Sequence, residues 1–132
     1  MRVSGWEDAV LAVIERHSAT PYAAGSADCF VMAMDAIEAL TGTRPYAQVR
    51  YRSDKGALLQ LARRGFPRLG DAIGALFPER PRGLAQRGDI AVLNSDKGDT
   101  LGIVWGGVVV CRVGHAVSQA PLAGARIIYA ID

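Results

Sequence analysis

The sequence predicts an α+β fold, helices first and an antiparallel sheet second, and three observations carry that reading. Apolar residues recur at helical spacing through the first part of the chain. From Gly88 onward the period changes to short β-rich runs. Between two of those runs, Gly106-Gly107 is the signal of a two-residue hairpin. Such an order packs the helices against one side of the sheet. With 132 residues, 50% of them hydrophobic, the chain is long enough for a real core and too short for a second domain. One domain is expected, with a helical half over about 1–78 and a β half over about 88–132.

Each element has a local cause. Ser4, with Glu7 three residues later, reads as a capping box, and Trp6, Ala9, Val10, Val13 and Ile14 then mark a helix to about His17. His17 falls at the helix C-terminus, where the dipole favours a cation. Pro21, Gly25 and small residues make Ser18–Asp28 a loop. Asp28 is placed to cap a second helix from Cys29 to Leu40, stopped at Gly42, with Cys29, Phe30, Ala33, Ala36, Ile37 and Leu40 as its apolar stripe. Thr43–Tyr51 is irregular. Ser53 and Asp54 then open a third helix through Ala57, Leu58, Leu61 and Ala62, ending at Gly65. Asp71–Phe77 reads as a short apolar turn, and Pro78 and Pro81 make residues 78–87 a surface loop. Four strands follow, at Asp89–Leu93, Leu101–Trp105, Val108–Val113 and Ile127–Ile131, with Ser95–Asp99, Gly106-Gly107 and Gly114–Gly124 as the links.

Composition narrows the function. The formal charge is +2 and the isoelectric point about 8.7, too mild to define a polyanion binder. Arg63, Arg64, Arg68, Arg80, Arg82 and Arg87 fall in one stretch, but no aromatic interleaving accompanies them, so no nucleic-acid partner is expected. The N-terminus has only a short apolar run before Glu15 and no small-residue cleavage site, so no signal peptide is read there, and no stretch is apolar enough to span a membrane. Two cysteines without a C-x-x-C pattern make neither a disulfide scaffold nor a four-ligand zinc site. The expectation is a chain made in a reducing cytoplasm, with no metal and no cofactor.

Cys29 is the residue on which function turns. At the first position of a helix, unpaired N–H groups and the positive dipole end favour thiolate over thiol. The same residue also fits as one small member of an apolar stripe.

Several stretches carry a resemblance. Thr20-Pro21-Tyr22, Gly25 and Asp28-Cys29 resemble the loop of the NlpC-type cell-wall cysteine peptidases, in which a tyrosine and glycines lead into an aspartate-cysteine pair. Arg87-Gly88-Asp89 resembles that family's Gly-Asp entry to its first strand, and Leu101-Gly102-Ile103 resembles its Val-Gly-Ile. The matches span Thr20–Val113. The compact length and the YRS, RGD and LGI stretches resemble small NlpC-like proteins of phage and prophage tail modules. The resemblance implies a papain-like fold, and Gly88-Asp89 serves as a turn rather than as part of an adhesion tripeptide.

The family's site does not carry over whole. The resemblance implies Cys29 as nucleophile, a histidine immediately before Val-Gly-Ile as base, and a polar residue on the next strand to orient it. The histidine position is Thr100, and threonine cannot accept and return a proton near neutral pH. The orienting position depends on the hairpin. With a two-residue turn, Thr100 faces Val113, and Cys111, Val113 and His115 share its face while Arg112 points away; with one extra residue Arg112 takes the place. That leaves His115 as the base offered to Cys29, with a surface histidine in the turn as its plain alternative. Tyr22 and the helix-start N–H groups would steady an oxyanion. Facing surfaces would also allow a Cys29–Cys111 disulfide.

Three functions compete. The first is a structural component of a phage or prophage tail tip or baseplate, in contact with other tail-tip proteins, assembled in the host cytoplasm and carried in the virion tail. The second is an active cysteine peptidase or amidase acting on peptidoglycan stem peptides at cell entry. The third is a cytoplasmic papain-like acyl-transfer or effector protein.

Overall fold

The computed structural model describes residues 1–96, 98–114 and 116–132. Among the described residues four α-helices precede a six-stranded, wholly antiparallel sheet, so the α+β reading holds. The helices are α1 (Trp6–Ser18), α2 (Cys29–Thr41), α3 (Asp54–Arg63) and α4 (Leu69–Gly74). The strands are β1 (Glu79–Arg80), β2 (Ile90–Ser95), β3 (Gly98–Trp105), β4 (Val108–Val113), β5 (Ala116–Pro121) and β6 (Ile127–Tyr129). They lie in the order β1-β6-β2-β3-β4-β5.

The expected capping box at Ser4 and Glu7 does not form. Gly5 takes the cap position at φ 77° with no side-chain cap, and Glu7 turns to pair with Arg87. Trp6 meets Trp105 edge-on with centroids 6.3 Å apart, Arg2 lies over Trp6 at 4.4 Å, and Arg87 lies over Trp105. These cation–π and aromatic contacts join the first helix to the end of β3.

α2 follows its sequence signals. Asp28 Oδ1 accepts from the Val31 N–H at 2.8 Å, and Gly42 closes the helix in the left-handed region at φ 81°. Its buried set is wider than the expected stripe, because Met32 and Met34 are covered as well. The helix is buried over so much of its circumference because α1 packs on one side of it and β3 on the other. The expected turn at Asp71–Phe77 is a helix, α4, whose N-terminus is closed by a bond from the Arg68 N–H to Asp71.

Two strands stand where loops are expected. β1 lies in the predicted surface loop, pairing Glu79 with Tyr129 and Arg80 with Ile128. β5 lies in the predicted Gly114–Gly124 link, pairing with β4 from Val108–Pro121 to Val113–Ala116. Both are edge strands, where a proline at the end costs no ladder bond. The hairpin at Gly106-Gly107 is as expected, since Trp105 pairs with Val108 and Gly102 with Cys111.

The sheet is buried on both sides. Ile90, Val92, Leu101, Ile103 and Tyr129 pack against the helices, whereas Ala91, Leu93, Val104, Val109, Cys111 and Ile128 form a second cluster closed by Ala85, Ala125 and Leu122. That two-sided burial explains why β2 reads as an unbroken apolar run. Asp89, fully buried, ties the chain ends to this sheet. It accepts from Arg2 at 3.2 Å and the Gln86 N–H at 2.8 Å, and pairs with Arg80 at 2.9 Å. Gly88 and Asp89 of the Arg87-Gly88-Asp89 tripeptide therefore form an internal turn, and only Arg87 is exposed.

Candidate functional site

Cys29 begins α2 on the wall of a cleft of about 860 Å³. The start of α2, the Tyr46–Tyr51 connection, α3 and the ends of β3 and β4 surround it. Phe30, Tyr46, Tyr51, Leu61 and Phe66 make the lining largely aromatic and aliphatic, while Asp28, Asp54, Thr100 and Arg112 supply polar groups.

The loop before Cys29 is held by Asp28. Besides capping α2, its Oδ2 accepts from the Gly25 N–H at 2.9 Å and from the Tyr51 hydroxyl at 2.6 Å. Gly25 sits at φ 86°, and a Cβ there would lie 2.0 Å from the Tyr51 carbonyl oxygen, so glycine is demanded twice over. Burial first, and then the bond to Asp28, push the Tyr51 hydroxyl far above its ordinary value. Tyr22 donates its hydroxyl to Asp54, and burial followed by that bond raises its pKa too.

The thiol behaves opposite to the helix-start expectation. Burial is the largest influence on Cys29 and pushes it up to about 11; the Asp28 and Cys111 charges act in the same direction. A backbone hydrogen bond from Leu101 offsets only part of this. Cys29 is therefore a thiol at neutral pH.

The two-residue hairpin and its parity are as expected, with Cys111 and Arg112 on opposite faces, but it is the Arg112 face that turns to the cleft. Leu101 and Ile103 look toward the helices, and Arg112, one residue beyond the Gly102–Cys111 pair, lines the cleft with Cys29. Its guanidinium donates to the carbonyls of His17 at 2.7 Å and Thr20 at 3.1 Å, at the end of α1. Cys111 lies on the far face among Ala91, Val104 and Val109, and both thiols are free, so the Cys29–Cys111 disulfide that facing surfaces would allow is not formed. Thr100 lines the cleft as expected for the position before Leu101-Gly102-Ile103. His115 lies outside the described residues; Gly114 beside it lines the cleft. Among the described residues no imidazole lines the cleft.

His17 is more than the helix-end cation expected. It is buried, with Nε2 2.7 Å from Asp35 Oδ2, and does not reach the cleft. This pair is not legible in the sequence, and neither are Tyr51 and Asp54 as partners of Asp28 and Tyr22. The one available signal was Asp35 itself, a carboxylate on a helix otherwise rich in apolar residues. Among the described residues no group of histidine, cysteine and carboxylate side chains could hold a metal, and no helix is long and apolar enough to cross a membrane.

The fold and site define an α+β domain with a helix-borne, protonated cysteine opening on a large, mostly apolar cleft. The chain belongs to the family described as Domain of unknown function (DUF6950), whose pattern matches residues 1–131. No curated protein and no solved structure matches it.

Proposed function

We propose that this chain is a structural component of a phage or prophage tail tip or baseplate, built on a papain-like, NlpC-type domain whose cysteine site does not turn over substrate. The observation that carries the reading is the state of Cys29: a thiol pushed up to about 11 by burial, beside an Arg112 committed to the carbonyls that end α1. Thr100 at the family's histidine position supports it from the sequence side. The cleft then serves as a docking and packing surface for other tail-tip proteins. In this reading the chain is found by mass spectrometry in purified particles, and the isolated protein releases no peptide from peptidoglycan. Stem-peptide cleavage that disappears in Cys29→Ala contradicts it.

A second reading is an active cysteine amidohydrolase on peptidoglycan stem peptides, and the size of the cleft at Cys29, with Tyr22 on its wall, favours it. Cys29 would attack the amide carbonyl, His115 would carry the thiol proton to the departing amine as the C–N bond breaks, and water would then release the acyl group from Cys29. Its signature is rate loss in both Cys29→Ala and His115→Ala, with Thr100→Ala nearly silent.

A further inference from the structure

We propose that copies of this chain bind one another head to tail, with α1 of one copy lying along the outer face of α3 of the next. α3 has no buried residue, and Leu58 and Leu59 are 64% and 51% exposed. One side of α3 faces the cleft through Ala57 and Leu61. On the outer side, helical spacing groups Lys55, Leu59 and Arg63 into one stripe. Among the described residues Lys55 and Arg63 form no ion pair, so the stripe is a leucine between two uncompensated cations.

α1 carries the complementary pattern. Its inner face buries Val10, Val13 and His17, and the opposite face groups Asp8, Leu11 and Glu15, with Leu11 38% exposed. Glu7 and Arg16 on the same helix are paired, with Arg87 and Asp35, but Asp8 and Glu15 form no ion pair among the described residues. At 1.5 Å per residue the two acids stand about 10.5 Å apart and the two cations about 12 Å, each pair with a leucine between. An acid-leucine-acid stripe on one copy thus matches a cation-leucine-cation stripe on another in charge, length and apolar centre.

Because the two stripes are different surfaces, the contact is heterologous, and it propagates to a closed ring or an open filament rather than stopping at a two-fold dimer. One helix pair is a small interface, so each contact is weak and the assembly depends on concentration. The inference stands apart from the cleft and its thiol; loss of one leaves the other intact.

Sedimentation velocity over a concentration series tests it, at about 0.1 M and about 1 M salt, where the screening length shrinks from about 10 Å to about 3 Å. The expected result is mass growing with concentration in low salt and returning to monomer in high salt. The pairs Asp8→Lys/Glu15→Lys and Lys55→Glu/Arg63→Glu are each expected to be monomeric alone, by repulsion, and to associate when mixed, since each then meets its complement. Lys55→Ala/Arg63→Ala, which adds no new charge, is expected to weaken association roughly fivefold. A wild type that stays monomeric throughout, variants that associate as the wild type does, or a mixture of folded variants that fails to associate overturns the proposal.

Discussion

Asp35 sits on a helix that is otherwise apolar on its buried side, and two arginines and a histidine explain its tolerance there. His17 Nε2 lies 2.7 Å from Oδ2, Arg16 3.0 Å from the same oxygen, and Arg44 2.5 Å from Oδ1. Burial alone would raise the carboxyl pKa, but the bonds from His17, Arg44 and Arg16 outweigh it and hold the group well below the ordinary carboxylate range. A depressed folded-state pKa means that the native state binds fewer protons than the unfolded chain in acid. The stabilisation is therefore full above the ordinary value of 3.8 and is lost as pH falls through and below it. Asp35→Asn removes the charge and leaves His17 and Arg44 facing a neutral amide. We expect a loss of about 3 kcal/mol in urea unfolding at neutral pH, with a flatter acid limb than the wild type below its ordinary pKa. Equal stability of the two proteins would show that the cluster is only a solvated surface.

Element by element, what was legible depended on how local the cause was. α2 was legible from Asp28 to Gly42 because its cap and its stop are both made by neighbours in sequence. The α1 start was not, since Glu7 is drawn away by Arg87, eighty residues along the chain. β1 and β5 escaped for a different reason: β1 has two residues and β5 reads Ala-Val-Ser-Gln-Ala-Pro, so neither shows an apolar run, and each exists by completing a neighbour's backbone ladder. α3 was legible from its Ser53 cap, yet it differs from α2 in kind. None of its residues is buried, and it is held mainly by its cap, by Tyr22 to Asp54, and by Gln60 to the Arg50 carbonyl. Local opening should follow that difference. Hydrogen exchange is expected to be rapid along residues 57–63 and slow along 33–40; comparable protection of both helices would mean that α3 is anchored by contacts beyond these.

For the molecule as a whole, the character of Cys29 is set by parts remote from one another in the sequence. The Asp28-Cys29 pair and the Tyr22 loop can be read locally, and they point to an activated thiol. What reverses that reading comes from the tertiary structure: burial of the thiol, which the Asp28 and Cys111 charges reinforce and the bond from the β3 backbone only partly offsets, and Arg112 drawn to the end of α1. Helix-start stabilisation is worth about 1 kcal/mol, and the partial burial of the thiol at the cleft wall outweighs it. Which face of β4 meets the cleft was equally a property of the whole sheet, because the hairpin sets Cys111 and Arg112 on opposite faces and only the packed helices decide which of them turns inward. The measurement that tests this account most directly is the pH dependence of Cys29 alkylation in a Cys111→Ala background. The account predicts a rate that is low at neutral pH and rises toward a midpoint near 11; a midpoint near neutrality would show an activated nucleophile and contradict it.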